Sequence, residues 1–383
     1  MAETDFNTKY PSIDDLRTKA QRRIPRFAFE YLDGGCNEDV NIKRNTTDIR
    51  EVTLQPEYLK DFVGSSLKTN ILGIEYDAPF GVAPIGLPGL IWPNSPEILA
   101  KAAFKHNIPF VLSTVSTSSI ERIAEITEGK AWFQLYNPTE ASLRDDIIKR
   151  AEVAGCPVLV LLCDVPTFGF RPRDIRNGLA MPPKMTFRNI WQMMGKPRWA
   201  LETLRVGAPS FANLTPYMKN GLSIKQLGQF MDQTFSGRLD MEKIKPIRDS
   251  WKGKLVLKGV ASEADTEAAI KAGFDGIIVS NHGGRQLDAG ESTIHSLLSI
   301  AKNYSDKIDI MMDSGLRSGP DVARAVASGA KFAFLGRSFM YGAAALGNEG
   351  GNHTIGLLKA QLKQAMDQLC CEKIEDLPQH LIK

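Results

Sequence analysis

The chain has 383 residues, 43% of them hydrophobic and 24% charged, with a formal net charge of +3 at pH 7. This is the profile of a globular chain long enough for one large α/β domain or two smaller ones, which excludes low-complexity and fibrous classes. So small a positive excess, without a long Lys/Arg run, argues against a nucleic-acid partner.

The first residues, Met1-Ala2-Glu3-Thr4-Asp5, are polar and acidic. They contain no apolar core of a secretory signal, so a cytoplasmic location is expected. Cys36, Cys156, Cys163, Cys370 and Cys371 form neither a CxxC pair nor a Cys/His ligand spacing, which points to reduced, partly buried thiols and to no metal site. An N-terminal helical segment is expected ahead of the first strand. The stretch from Ala78 to Pro96 has no charge and could be mistaken for a membrane span. Pro79, Pro84, Pro88, Pro93 and Pro96, with Gly81, Gly86 and Gly89, would break a helix repeatedly, so we read a strand from Phe80 to Ala83 followed by a loop.

Short apolar runs then recur, near residues 80–83, 109–112, 131–135, 158–163, 254–258, 276–280, 308–313 and 331–335, with helical stretches between them. Eight strands with helical crossovers predict an α/β fold, a (β/α)8 TIM barrel, with residues 1–383 as one domain and the barrel over about 78–346. Strand starts are about 20 to 33 residues apart except for a gap of roughly 96 between the fourth and fifth runs, which marks an insertion after strand four. Within it, residues near 175–240 interleave Lys184, Arg188, Lys196, Arg198, Arg205 and Lys219 with Phe187, Trp191, Met193, Met194, Trp199, Phe211 and Tyr217. That mixture fits an ordinary subdomain with inward aromatics, a lid over the active site, or a segment lying on an anionic membrane surface.

A barrel carries its chemistry at the C-terminal ends of its strands, and these ends are loaded with polar groups. The third run ends Phe133-Gln134-Leu135-Tyr136, the fourth Cys163-Asp164 with Arg171 beyond, the fifth Lys258, the seventh Asp313-Ser314-Gly315 and the eighth Gly336-Arg337. Most informative is the sixth, Ser280-Asn281-His282-Gly283-Gly284-Arg285-Gln286-Leu287-Asp288, which follows the buried-strand pattern Gly276-Ile277-Ile278-Val279. A His and an Arg three apart on a glycine-paired turn make a base and an anion clamp for one small substrate, although a lone His is as readily a surface or capping residue. Arg317 and Arg337, each among small residues at the start of a helix after strands seven and eight, suit a phosphate. Either arginine alone could equally be a surface residue at a helix start.

Together these motifs resemble the FMN-dependent L-2-hydroxy acid oxidase and dehydrogenase family, which includes glycolate oxidase, lactate oxidase, L-lactate dehydrogenases and mandelate dehydrogenase. The likeness runs from about Pro25 to Leu346 and rests on the His282 motif, supported by Ala83-Pro84, Phe133-Gln134-Leu135-Tyr136, Val256-Leu257-Lys258-Gly259, Asp313-Ser314-Gly315-Leu316-Arg317 and Gly336-Arg337. The resemblance implies FMN as cofactor, and no GxGxxG dinucleotide fingerprint competes with it. It implies that His282 is the base and that Asp164 orients it. Arg171 and Arg285 would clamp the substrate carboxylate, with Tyr31 and Tyr136 hydrogen-bonding carboxylate and hydroxyl. Lys258 would sit beside flavin N1 and stabilise the anionic reduced ring. Ala83, Ser113, Gln134 and Ser280 fall where the family contacts the ring, Asp313 where it binds ribityl hydroxyls, and Arg317, Gly336 and Arg337 where it holds phosphate. Pro84, Ile85, Ser314 and Gly315 complete the cofactor set.

The sequence departs from the family at three places. Ile85 and Leu162 stand where a Thr is usual, each removing a hydroxyl near the flavin. Val115 occupies a position that is a large aromatic in glycolate oxidase and very small in mandelate dehydrogenase, so a medium pocket, and L-lactate or a somewhat longer aliphatic acid, is expected. Gly86-Leu87-Pro88-Gly89-Leu90-Ile91-Trp92-Pro93, Met181-Pro182-Pro183 and the basic, Trp-containing insertion look more like the bacterial membrane-associated lactate and mandelate dehydrogenases than like glycolate oxidase. That implies a quinone or cytochrome as electron acceptor rather than oxygen, and peripheral contact with the inner face of the membrane. A haem domain is not expected, since no CxxCH occurs. A homotetramer is implied by resemblance alone. An isomerase using bound flavin, or a non-catalytic barrel, would keep the phosphate loops but have no need of His282, Arg171 and Arg285 together.

Overall fold

The computed structural model describes residues 8–179, 186–218, 234–235 and 238–382. A small antiparallel hairpin, β1 (Thr69–Ile71) and β2 (Ile74–Tyr76), precedes eight strands: β3 (Phe80–Val82), β4 (Val111–Ser113), β5 (Trp132–Leu135), β6 (Val158–Leu162), β7 (Lys254–Val260), β8 (Gly276–Val279), β9 (Asp309–Met312) and β10 (Phe332–Leu335). The eight are parallel in the order β3-β10-β9-β8-β7-β6-β5-β4, and a parallel bridge from Val82 to Phe110 closes the ring. This is the expected (β/α)8 barrel.

Each strand is followed by a helix that returns over the outside, from Ser95–Lys105 after β3 to Arg337–Leu346 after β10. Both faces of every strand are therefore buried, which is why the strands read as continuous apolar runs rather than alternating ones. Val111, Trp132, Val160, Val256, Ile278, Met311 and Phe334 fill the barrel, while their neighbours Leu112, Phe133, Leu161, Leu257, Ile277, Ile310 and Leu335 pack against the helices.

The hairpin fixes which end of the barrel is open. Ile71, Leu72 and Tyr76 join the inner core, Trp132 Nε1 donates to Tyr76 Oη at 3.0 Å, and Leu72 N donates to Asp309 Oδ2 at 3.0 Å, where β9 begins. The N-terminal end is thereby plugged. The C-terminal end is left for the loops.

Three N-terminal helices, Ile13–Arg23, Arg26–Asp33 and Val40–Glu51, precede the barrel. The first is set by Ser12 and Asp15, which cap each other's backbone. The second buries Phe27, Ala28, Phe29 and Leu32, leaving Tyr31 half-buried.

The insertion divides its aromatics between the two sides. Trp199 and Phe211 are buried; Trp199 meets Phe27 edge-to-face at 5.8 Å and donates to Ile91 O at 3.0 Å. Helix Phe187–Met194 instead presents Phe187, Ile190, Trp191 and Met194 outward, with Phe187 86% and Trp191 72% exposed. Their i, i+3, i+4, i+7 spacing is that of a core-facing stripe, here turned to solvent. Leu201 and Leu204 of helix Pro197–Val206 are exposed as well. Met181-Pro182-Pro183, Lys184 and Lys219 lie outside the described residues.

Candidate active site

The loops after β3 to β10 surround a cavity of about 510 Å³, lined by Tyr31, Tyr136, Arg171, Lys258, His282 and Arg285 among others. Every candidate substrate- or cofactor-binding residue lines this one space except Ser280, which bonds the lining Lys258, and the base-orienting Asp164 reaches it through His282.

The loop after β8 is held in an unusual backbone shape. His282, Gly283 and Gly284 have φ of 57°, 68° and 72°, and a Cβ on Gly284 would lie 2.6 Å from Ile42 N. A side chain at 284 is therefore excluded, and His282 accepts a left-handed conformation that is uncommon for a residue other than glycine. What holds it is a buried asparagine network. Asn281 Nδ2 donates to Asn41 Oδ1 and Asn45 Oδ1, both at 2.7 Å, and Asn45 Nδ2 returns a bond to Asn281 Oδ1 at 2.9 Å. Helix Val40–Glu51 thus anchors the residue before His282, a function that the sequence alone did not disclose.

His282 Nδ1 lies 3.0 Å from Asp164 Oδ1 at the end of β6. Burial pushes the Asp164 carboxyl up, but the imidazole and the Lys258 ammonium outweigh it and hold the group below the usual carboxylate range. Burial also pushes His282 below the ordinary histidine value, reinforced by the charges of Lys258 and Arg171 and opposed by Asp164. The consistent assignment is a neutral imidazole whose Nδ1–H donates to the carboxylate, leaving Nε2 as an acceptor.

Lys258, at the bulge of β7, donates to Asp313 Oδ2 at 2.8 Å and Ser280 Oγ at 2.9 Å. Burial works against its charge, but Asp313 and Asp164 more than restore it, so a buried ammonium faces the cavity.

Arg171 starts helix Pro172–Arg176, and Arg285 follows the glycine pair. Arg285 Nη1 donates to Tyr31 O and Gly34 O, each at 2.8 Å, and the guanidinium lies 5.1 Å from the Tyr31 ring centre. Burial, with the neighbouring Arg171, brings Arg285 down to about 10. Gln286 ties the two loops: its Oε1 accepts from Arg171 Nη2 at 3.3 Å and its Nε2 donates to Asp164 O at 3.1 Å and Thr167 O at 2.9 Å. Its part in the motif was visible, its bracing of Arg171 was not. Tyr31 Oη donates to Gly86 O at 3.3 Å, and burial raises the Tyr136 phenol far above its ordinary value. Val115 is buried on the wall, and a Cβ on Gly86 would come within 3.1 Å of Val115 Cγ2. Ile85 and Leu162 line the same wall.

On the opposite side, Ser113 Oγ donates to Gln134 Oε1 at 2.9 Å, while the buried Gln134 Nε2 has no partner among the described residues. Ser314 and Gly315 have φ of 75° and 86°, and a Cβ on Gly315 would lie 2.5 Å from Asn45 O. Arg317 Nη1 donates to Leu316 O at 2.8 Å. Arg337 lines the cavity, and three of its five N–H donors go to Leu32 O, Gly283 O and Gly34 O at 2.9, 2.9 and 2.8 Å. Burial, with Arg317 nearby, lowers it to about 9. Arg337 and Arg285 together cap the end of the helix that carries Tyr31.

A family model described as FMN-dependent dehydrogenase matches residues 20–383. The chain belongs to this family. It is 37% identical over 364 residues to an L-lactate dehydrogenase of Vibrio parahaemolyticus, covering 95% of this chain and 96% of that one. A putative L-lactate dehydrogenase of Mycobacterium tuberculosis is 35% identical, with 97% and 88% covered. Among solved structures, a monotopic membrane protein, (S)-mandelate dehydrogenase, superposes with a TM-score of 0.91 at 34% identity, covering 97% of this chain and 98% of that chain. A mandelate oxidase superposes with a TM-score of 0.84 at 30% identity, again covering 97% and 98%.

The chain is thus an FMN-dependent hydroxy acid dehydrogenase or oxidase in family, and FMN is its cofactor. The cavity suits that group on its own terms. Gln134 Nε2 is a buried donor in need of an acceptor, Lys258 is a buried cation, and the left-handed Ser314-Gly315 turn ahead of Arg317 offers a small-residue cradle for an anion.

Proposed function

We propose that this enzyme oxidises an L-2-hydroxy acid, L-lactate foremost, to the 2-oxo acid and passes the electrons to a quinone or cytochrome. The observation that carries the reading is the His282–Asp164 pair, 3.0 Å apart, with His282 facing the same cavity as Arg171 and Arg285. A base beside two cations is what a small hydroxy carboxylate requires.

In this reading Arg171 and Arg285 hold the substrate carboxylate, with Tyr31 and Tyr136 as phenol partners. His282 Nε2 takes a proton from the substrate, either from the hydroxyl or from the α-carbon. Asp164 fixes the imidazole through Nδ1 and stabilises the imidazolium that forms. FMN, when bound, would supply the acceptor for the two electrons and the second hydrogen released as the alcohol carbon becomes a carbonyl. Lys258 would offer its charge to the ring, which Ala83, Pro84, Ile85, Ser113, Gln134 and Ser280 would hold, and Asp313, Ser314, Gly315, Arg317, Gly336 and Arg337 would serve its ribityl and phosphate end. Arg337 spends three of its five N–H donors on carbonyl oxygens, which leaves one on Nη1 and one on Nη2 for that end.

Val115 and the L-lactate dehydrogenase relatives favour lactate, whereas the mandelate dehydrogenase and oxidase neighbours support a larger 2-hydroxy acid as the second reading. The outward apolar stripe of Phe187, Ile190, Trp191 and Met194, with Arg188 and Arg198 nearby, supports peripheral attachment to the inner membrane face. Among the described residues no helix is long and apolar enough to cross a membrane. The likeness to a monotopic neighbour favours a quinone or cytochrome over oxygen as acceptor. A homotetramer remains our expectation by family resemblance. The test is a panel of L-2-hydroxy acids crossed with quinone, cytochrome c and oxygen. L-lactate with quinone should give the highest kcat/KM; stoichiometric hydrogen peroxide at comparable rates would make the enzyme an oxidase.

A further inference from the structure

The two arginines of the clamp share a third charge. Asp174, in the first turn of helix Pro172–Arg176, is buried at 7% exposure and lines the cavity. Its Oδ2 lies 3.9 Å from Arg171 Nη1 and 4.0 Å from Arg285 Nη2, so one anion stands between both guanidinium groups. These separations are too long for hydrogen bonds but well within strong Coulombic reach in a site of low exposure. Burial, with Glu30, pushes the Asp174 carboxyl above the usual carboxylate value, and Arg285, Arg171 and Arg173 pull it back toward the charged form. Glu30 is itself engaged by Arg26 and Asn177, which leaves Asp174 as the carboxylate shared by the two clamp arginines.

We propose that Asp174 is the counter-charge of the clamp, a positioning residue that holds Arg171 and Arg285 side by side and limits how tightly they grip a carboxylate. This rests on the hydroxy acid reading. Two guanidinium groups at one wall repel each other, which is visible in Arg171 helping to lower Arg285. Without Asp174 the clamp carries two positive charges; with it, one, and a bound carboxylate completes neutrality. The 2-oxo acid product keeps the same carboxylate as the substrate, so a clamp without its internal anion would retain product. The alternative is that Asp174 merely favours a helix N-terminus through the helix dipole. That role would affect stability without distinguishing an anionic ligand from a neutral one.

Calorimetric titration of the FMN-loaded protein with pyruvate and with its uncharged amide separates the two. Asp174→Asn should bind pyruvate on the order of 10-fold more tightly than wild type, the effect of removing one nearby charge at an effective dielectric of about 20. The amide should bind as in wild type, Asp174→Ser should behave as Asn, and Asp174→Glu should restore the weaker binding. Unchanged or weakened pyruvate binding, or equal tightening of acid and amide, would overturn the proposal. So would failure of both neutral variants to fold while the Glu variant folds, because the carboxylate would then be a structural anchor. Wild-type protein that binds neither acid nor amide would instead sink the hydroxy acid reading itself.

Discussion

Replacing Asp164 with Asn keeps the shape of the side chain that meets His282 Nδ1 at 3.0 Å and removes its charge. His282 must stay neutral to accept a proton and must then carry the positive charge it gains. In wild type, burial, Lys258 and Arg171 all disfavour the imidazolium, and Asp164 alone among the named charges favours it. A charge pair about 4 Å apart at an effective dielectric of about 20 interacts by about 4 kcal/mol, on the order of 10³ in rate if it is fully expressed in the transition state. Asp164→Asn should therefore slow reduction of the bound FMN by L-lactate by about 10²- to 10³-fold, read by anaerobic stopped-flow absorbance at saturating substrate. The pH dependence has a definite sign. Activity requires the neutral base, so the rate rises with pH through the His282 pKa, which lies below the ordinary histidine value. Losing Asp164 removes the one opposing influence, so the rising limb should move to still lower pH while its plateau falls. A plateau within about 3-fold of wild type, or a limb displaced to higher pH, would refute this account of the pair.

Lys258→Met leaves the Asp313 carboxylate buried without its cation, so it should cost about 3–5 kcal/mol in stability by thermal unfolding and weaken FMN retention on gel filtration. Unaltered stability and flavin content would show that the ammonium is dispensable. Val115→Trp fills the wall opposite Gly86 and should shift preference toward the smallest acids by about 1–3 kcal/mol, checked as the ratio of kcat/KM for glycolate and L-2-hydroxybutyrate. An unchanged ratio would place the substrate side chain elsewhere in the cavity. Exchanging Phe187, Trp191 and Leu204 together for Ser should abolish cosedimentation with vesicles containing anionic lipid and leave lactate-dependent flavin reduction intact, because these side chains point to solvent. Retained cosedimentation would exclude this stripe as the contact.

The barrel was legible because all eight strands are buried on both faces and so stand out as uninterrupted apolar runs. The ends were less so. β4 begins at Val111 rather than at Pro109, since Pro109 lacks a ladder donor and Phe110 sits in the isolated closing bridge to Val82, although its carbonyl accepts from Trp132 N at 2.9 Å. Residues on strand ends were found because the architecture concentrates chemistry there. Residues acting across the cavity were not: Asp174 reads locally as an acidic helix start, Gln286 as one more motif letter, and Asn41 and Asn45 as a polar helix face. Their roles arise from partners more than 100 residues away, such as Asp164 for Gln286 and Asn281 for Asn45. The stripe of Phe187, Ile190, Trp191 and Met194 shows the converse, because its helical spacing is plain in sequence but its outward orientation is set by how Trp199 and Gln192 dock on helix Arg26–Asp33.

The most direct test of the central claim, that His282 abstracts the proton that allows the hydroxy acid to reduce FMN, is anaerobic addition of L-lactate to the yellow, FMN-loaded protein and to its His282→Gln variant. Wild type should bleach with L-lactate and not with D-lactate, while the variant should retain its FMN and its colour. A variant that bleaches at the wild-type rate would contradict the assignment of His282 as the base, and wild type that stays yellow with every L-2-hydroxy acid would contradict the proposed reaction.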